Sequence, residues 1–456
     1  MTTQTLLDYH EIIADTAQLS DFTPTRIVEI ELSEALLALS PLHDLREQPY
    51  HKALCLVRLH TQPLGMVELT LNNYGTMSAE TLAHSIWQIL GEQVNRHLLQ
   101  DGLVPLSTLG TQGIISSTAP ACLKEQERFL ASAPFASVIV ATRNRPALLQ
   151  RCLTALLALR YPHYEIIVVD NAPSSSATMD FIKRAYGHLP HVRYAREDRP
   201  GLSHARNRGI HEARGEIIAI TDDDVVVDPY WLQELVRGFQ ASHKAVCVSG
   251  LVLPMELETQ AQGWFEQYGG YSKGFSRRLF DMYEHHPRTP LFPYTAGTLG
   301  TGANIAFTAA YLREIGGFAA DLGAGTLAKG GEDLAIFFQI VTQGHTLVYE
   351  PAALLYHPHH RNYPELCKQM YCYGAGLTAY LTKMVIDQPT LVFDLIKKIP
   401  YGIFFTFSTR SSKNKRKSTF YPKELTKLEL RGMLHGPLAY LRSRWALRRL
   451  QQGRIK

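Results

Sequence analysis

The sequence predicts an α/β protein: a Rossmann-like, mostly parallel sheet with a small N-terminal α+β accessory domain and a helical, basic C-terminal region. Three observations carry this expectation. Short apolar runs alternate with helical stretches from Ser137 to Thr221, the pattern of a parallel sheet covered on both faces. Before about Ala133 the chain shows instead a hairpin and one long amphipathic helix. From Leu391 onward it holds 16 Lys+Arg against 3 Asp+Glu, so the net charge of +4 conceals a tail of +13 on a body of −9. The expected boundaries are 1–133, 134–383 and 384–456.

In the first part, Leu54 to Leu59 and Gly65 to Leu71 read as strands. The second alternates, with Met66, Glu68 and Thr70 on one side and Val67, Leu69 and Leu71 on the other. Pro63 is expected in the turn between them. Leu82, Ile86, Leu90 and Val94 recur at helical spacing and predict a helix from Ala79 to about Leu99.

In the second part, strands are expected at Ser137 to Ala141, Glu165 to Asp170, His191 to Tyr194 and Glu216 to Thr221. Helices are expected at Ala147 to Leu159, Ala177 to Tyr186 and Ser203 to Ala213. Right-handed crossovers then bring the strand C-termini to one edge, where open α/β sheets bind ligands. In the third part, Ser411 to Ser418 reads as an exposed basic loop. Leu428 to Leu450 reads as a helix, with Arg442, Arg444, Arg448 and Arg449 among Leu441, Trp445, Ala446 and Leu447.

Hydrophobic content of 45% and charged content of 19% mark a folded chain. Six cysteines without a Cys-x-x-Cys pair predict neither a disulfide framework nor structural zinc, and point to a reducing cytosol. Met1 to Gln18, with Asp8, Glu11 and Asp15, has no basic and apolar leader pattern. No run reaches the roughly 18 apolar residues of a membrane span; Ile399 to Phe407 comes nearest. A cytoplasmic chain is expected. Its basic tail suits a polyanion, an anionic membrane surface ahead of nucleic acid.

The chemistry-bearing residues sit at strand ends. The first strand-helix turn reads Thr142-Arg143-Asn144-Arg145-Pro146 and has no glycine, which excludes the Gly-rich pyrophosphate cradle of dinucleotide-binding enzymes. Asp170-Asn171 closes the second strand, suited either to a base or ribose or to an Asx-turn. Asp222-Asp223-Asp224 closes the fourth. Three adjacent carboxylates repel one another unless a cation neutralises them, and oxygen ligands on a loop suit Mg²⁺ or Mn²⁺. Asp228-Pro229 is expected to cap the next helix, which leaves the triple acid without a capping task. Glu332-Asp333 opens a further helix, where the dipole alone would favour acids. His357, with His359 and His360, follows the apolar run Tyr349 to Tyr356.

Taken together, the constellation resembles the family 2 glycosyltransferases over about Ser137 to Gly376. The matching pieces include Val138 to Arg145, Ile166 to Asn171, Arg199 to Gly209, Thr221 to Val225, Gly300 to Asn304, Gly316 to Phe318, Gly331 to Leu334, Tyr349 to Ala353 and His357. The resemblance implies a GT-A type nucleotide-sugar-binding fold, a nucleotide-diphospho-sugar donor and a divalent cation, Mn²⁺ or Mg²⁺. It implies donor binding by Thr142, Arg143 and Asn144 of the first turn and by Asp223, nucleoside contact by Asp170 and a place near the nucleotide for Arg206. It further implies ribose or metal-bound water at Asp222, metal ligation by Asp224 and His357, and a general base at Asp333 supported by Glu332. Transfer to an acceptor hydroxyl would invert the anomeric centre. Processive members carry membrane spans and a Gln-x-x-Arg-Trp motif; the equivalent stretch here, Gln369 to Gly376, lacks that motif, which favours single transfer. The acceptor class then includes envelope polysaccharide, a lipid-linked glycan or a small molecule.

Two other classes compete. A nucleotidyltransferase would share the sheet and the carboxylates but should carry a Gly-rich, basic first loop, absent from Thr142 to Pro146. A non-catalytic nucleic-acid- or membrane-binding protein would explain the basic tail and leave the acids unexplained.

Overall fold

The computed structural model describes residues 22–43, 48–72 and 75–452. The reading of Met1 to Gln18 lies outside them.

The chain begins with a three-stranded sheet of β1 (Thr25–Glu31), β2 (Lys52–Leu59) and β3 (Gln62–Thr70), in that order. β2 and β3 form the expected antiparallel hairpin, but Pro63 lies inside β3. The turn is made by His60 and Thr61, at φ +51° and +70°. Both are non-glycine residues in the left-handed region, which a β-branched threonine rarely occupies. The Glu31 carboxylate holds them there by accepting from the N–H of each at 3.0 Å. Against the sheet packs α1 (Ala79–Gln100), capped by Ser78 and burying Leu82, Ile86, Leu90 and Val94 as its spacing predicts. A short α2 (Ala121–Leu130) follows.

The second sheet has nine strands. Four of the expected α/β units are present as β4 (Ala136–Thr142), α3 (Pro146–Leu157), β5 (Tyr164–Asn171), α4 (Ala177–Tyr186), β6 (Val192–Glu197), α5 (Leu202–Glu212) and β7 (Ile217–Asp222). β4 is buried throughout, with Val138, Ile139 and Val140 fully enclosed, about 1.5–3 kcal/mol of transfer free energy for each such side chain. After β8 (Val226–Val227) and α6 (Trp231–Gly238) come β9 (Ala245–Pro254), α7 (Gln260–Tyr268), β10 (Arg278–Phe280), β11 (Asn304–Thr308), α8 (Ala309–Glu314), α9 (Glu332–Thr342) and β12 (Thr346–His357). The order is β10-β12-β9-β11-β7-β4-β5-β6, with β8 on β12. β6, β5, β4, β7, β9 and β12 run the same way, and β8, β10 and β11 oppose them. The sheet is therefore mostly parallel, with β11 inserted antiparallel between β7 and β9.

The Asp228-Pro229 capping expectation does not hold. Helix α6 starts later, at Trp231, and Tyr230 precedes it without a side-chain cap. Asp228 is buried. It accepts from Tyr230 N–H through Oδ1 and pairs with Arg58 of β2 through Oδ2 at 2.5 Å. The carboxylate is shared: one oxygen holds the turn before the helix and the other the buried Arg58 cation. This pair, with Arg58–Glu29 at 3.2 Å and Tyr356 Oη donating to Glu29 at 2.6 Å, fastens the small sheet onto the β8–β12 edge of the large one.

The C-terminal part is three helices. α10 (Tyr363–Asp387) crosses the expected boundary at 383/384 without a break, and α12 (Lys423–Gln451) packs along it. Between them lies α11 (Leu391–Phe407), in which no residue is buried. Among the described residues no helix is long and apolar enough to cross a membrane.

Candidate active site

Register explains why residues far apart in sequence meet at one edge. Thr142 of β4 lies beside Asp170 of β5, and Ala141 beside Asp222 of β7. His357 ends β12 beside Pro254 of β9, a parallel strand whose C-terminus points the same way. The apolar strands bury their middles, and their polar last residues emerge together.

The three adjacent acids have three environments. Asp223 is fully buried. Thr142 Oγ1 donates to its Oδ2 at 2.6 Å and Arg145 pairs with its Oδ1 at 2.6 Å. Burial pushes its pKa up to about 6 against the opposing pull of Arg145. Asp223 thus ties the first turn to the end of β7. Asp224 is half-buried; its Oδ1 has no hydrogen-bond partner and faces His357 Nε2 at 3.8 Å, while Arg145 stands 3.5 Å from Oδ2. Asp222, also half-buried, meets Arg206 at 3.4 Å. Ligand atoms of Asp222, Asp224 and His357 all lie within 4.8 Å of one another.

His357 is oriented for ligation. Its Nδ1 lies 2.8 Å from the Pro358 carbonyl, which can only accept, so Nδ1 carries the proton and Nε2 presents its lone pair toward Asp224. Two carboxylates and one imidazole suit Mn²⁺ or Mg²⁺. The orphaned Oδ1 of Asp224 is the atom that a cation would satisfy.

Arg206 lies beneath the site. It is 2% exposed, and its guanidinium meets Glu332 at 3.1 Å, Asp222 at 3.4 Å and the Gly302 carbonyl at 3.0 Å. The place expected near the nucleotide is therefore a buried strut joining the two acidic groups. Glu332, the first residue of α9, is buried; desolvation, then the neighbouring Asp333, raises its pKa to about 7. Asp333 is more open. Its Oδ2 accepts from Gly302 N–H at 3.2 Å, and a Cβ at position 302 would sit 2.9 Å from that oxygen, so a side chain there would push the Asp333 carboxylate aside. Gly331, at φ +89°, starts α9 where a Cβ would meet the Gly376 carbonyl at 2.5 Å. These close approaches set the two acids at the cleft.

Asp170 is buried and accepts from Tyr194 Oη at 3.1 Å; burial raises its pKa. Asn171 braces the loop before α5, donating to Arg199 O at 2.8 Å and accepting from Gly201 N–H at 2.9 Å. Asn144 sits at φ +55° and accepts from Ser174 N–H at 3.1 Å, while Arg143 is exposed.

Four contributors were not expected from the sequence. Arg145 counters Asp223 and Asp224. Tyr271 lies against the His357 ring at 5.0 Å and shares a 3.1 Å hydrogen bond with Tyr373. Lys273, lowered to about 8 by burial, is drawn the other way by Asp333. Arg145 stood in a quoted turn and its basic charge was a usable signal; Tyr271, Lys273 and Tyr373 stand in segments with no motif.

Residues 137–297 match the glycosyl transferase family 2 profile. The chain carries a family 2 glycosyltransferase domain. Over 240 residues it is 23% identical to a pre-mycofactocin glycosyltransferase of Mycobacterium tuberculosis, covering 53% of this chain and 46% of that protein. Over 194 residues it is 23% identical to a glucosyl-dolichyl phosphate glucuronosyltransferase of Haloferax volcanii, covering 41% and 56%. The chain thus spans about half the length of these two relatives. Among solved structures it is similar to a Pyrobaculum calidifontis mannosyltransferase in complex with GDP-Man and Mn²⁺, with a TM-score of 0.43 and 17% identity over 69% of this chain and 92% of that one. Asp222, Asp223 and Asp224 fall inside the matched part of the glycosyltransferase domain; Glu332, Asp333 and His357 lie beyond its profile and reach the same edge through α9 and β12.

Proposed function

We propose that this chain transfers a sugar from a nucleotide-diphospho-sugar to an acceptor hydroxyl, once per encounter and with inversion. The observation that carries the reading is the pairing of Asp224, with its orphaned Oδ1, and His357, with its free Nε2, in one cleft with the open carboxylate of Asp333. Asp222, Asp224 and His357 would hold a divalent cation, which when bound neutralises charge developing on the departing diphosphate, an effect of several kcal/mol. Asp333 takes the acceptor hydroxyl proton as the new C–O bond forms at the anomeric carbon. The bond to the diphosphate oxygen breaks on the opposite face, and the nucleoside diphosphate leaves. Glu332 stays behind this step: Arg206, set between Glu332 and Asp222, balances the charge of both. Asp170 and the Asn144 turn are the groups offered to the nucleoside, and Lys273 is a cation available to the phosphates.

The acceptor side supports a membrane reading. Phe393, Ile396, Ile399, Ile403 and Phe407 recur along α11 at three- and four-residue steps, all exposed, with Phe404 beside them. Lys397 of the same helix and Arg410, Lys415 and Arg416 in the chain after it are also exposed. An unpartnered apolar helix with cations in it and after it fits an anionic lipid surface, and so a lipid-linked acceptor. A second exposed apolar set, Leu434, Leu438, Leu441 and Trp445, lies on α12, where Arg449 stacks over Trp445 at 3.7 Å.

A screen of UDP-, GDP- and dTDP-sugars with Mn²⁺ or Mg²⁺ tests the activity. Metal-dependent release of one nucleoside diphosphate, lost in Asp224→Ala, is expected. Release that survives Asp224→Ala and Asp333→Asn would place the site elsewhere.

A further inference from the structure

A second cluster of ligand-type side chains lies outside the cleft. His60 of the β2–β3 turn, His97 of the last turn of α1, Asp101 just past it and Cys122 at the start of α2 converge on one point. Asp101 Oδ2 is 2.6 Å from His60 Nδ1, 3.1 Å from His97 Nε2 and 3.1 Å from Cys122 Sγ. The two imidazole nitrogens face each other at 3.2 Å. All four ligand atoms lie within 4.8 Å of one another, and the two histidines and the aspartate are buried.

Hydrogen bonding explains this arrangement poorly. Three groups crowd one carboxylate oxygen while the other already accepts from Cys122 N–H at 2.9 Å, and of the two imidazole nitrogens facing each other at 3.2 Å only one can donate to the other. A tetrahedral zinc ion with bonds of about 2.0–2.3 Å separates its ligands by roughly 3.3–3.7 Å, so spreading this cluster by less than about 1 Å would admit one. Charge agrees. Two neutral imidazoles, one carboxylate and one thiolate cancel Zn²⁺, which leaves nothing uncompensated in a buried place. The sulfur and nitrogen donors disfavour Mg²⁺ and Ca²⁺, and four protein ligands leave no open position for substrate.

We infer that His60, His97, Asp101 and Cys122 form a structural zinc site at the seam between the N-terminal sheet and the catalytic sheet. The ion would staple three segments: the β2–β3 turn with its two left-handed residues, the end of α1 and the beginning of α2. From α2, Gln126 reaches Glu234 of α6 at 3.3 Å and Thr61 Oγ1 at 3.4 Å, so the staple bears on the junction with the large sheet. The site is independent of the proposed transferase cation. Its ligands come from other elements and carry sulfur.

The test is metal analysis of the full chain, produced without a histidine tag and dialysed against a mild chelator. About one zinc per chain is expected in the wild type and equally in Asp224→Ala, which separates this site from the cleft. Cobalt exchanged into the wild type should give tetrahedral ligand-field bands and a thiolate-to-cobalt charge-transfer band; Cys122→Ser should lose the latter and the zinc stoichiometry. The cobalt spectrum of the wild type needs no variant, so it decides the matter even where Cys122→Ser does not fold. A wild-type chain that holds no zinc and gives no thiolate band with cobalt overturns the inference, whatever the outcome of the transferase screen.

Discussion

The two clusters of potential metal ligands differ in chemistry, exposure and origin. Asp222, Asp224 and His357 are half-buried at the end of the large sheet and rich in oxygen. His60, His97, Asp101 and Cys122 are enclosed between a turn and two helices, with mixed nitrogen, oxygen and sulfur donors. The first arrangement suits a hard cation that comes and goes with a phosphate ligand; the second suits an ion held for the life of the fold. The difference teaches that a site built to act must leave its ligand atoms incompletely satisfied, as Asp224 Oδ1 is. A site built to hold can saturate them.

The comparison can be broken most forcefully at the cleft. Asp333→Asn should lower transfer by roughly 10²–10⁴-fold in kcat, the usual worth of a general base, while leaving zinc content unchanged. Steady-state kinetics beside metal analysis reads both. At the seam, Arg58→Ala should destabilise the chain by about 3–5 kcal/mol, because it leaves Asp228 buried without its cation. Denaturant unfolding measures that loss, and a change under about 1 kcal/mol would mean the pair does not fasten the two sheets.

Chelation sharpens the contrast. EDTA should abolish transfer at once and Mn²⁺ restore it, with zinc still bound on that timescale; zinc lost as fast as activity would make the two sites alike. The pH profile separates the two acids of α9. Glu332 is raised to about 7, so below that pH it is protonated and Arg206 keeps only Asp222 as a counter-charge. Activity should therefore fall as pH drops through about 7, and Glu332→Gln, which fixes the uncharged state, should hold activity at the reduced low-pH level across the range and so flatten that limb. A Glu332→Gln loss as large as that of Asp333→Asn would exchange the roles of base and support. The smallest effect concerns α11: replacing Ile396 and Phe407 with serine should weaken flotation with anionic liposomes without altering transfer to a soluble acceptor.

Much of the transferase half was legible because its signals are local. Each acid follows directly on an apolar run, and a parallel strand buried on both faces must release its last polar residue at the ligand edge. Asp170, Asp222 to Asp224 and His357 were placed by that rule. Asp223 shows its limit, since adjacency cannot say which of three acids turns inward; the hydroxyl of Thr142 and the charge of Arg145 decide it. Arg206 shows another, because an arginine beside a site and one beneath it share the same sequence context. Tyr271 and Tyr373 carry no signal, since their pairing crosses 102 residues.

By itself, then, the amino-acid sequence determined the alternating α/β order, the strand-end acids and the basic tail, all encoded within spans of a few residues through periodicity and charge. Only the tertiary structure decided which carboxylates stay open, which helices present exposed apolar residues, and that a histidine in a turn, a histidine and an aspartate one helical turn apart, and a cysteine 21 residues beyond the aspartate come together. Such convergence depends on how β2, β3, α1 and α2 pack, and packing among non-neighbouring segments leaves no periodic trace in the chain.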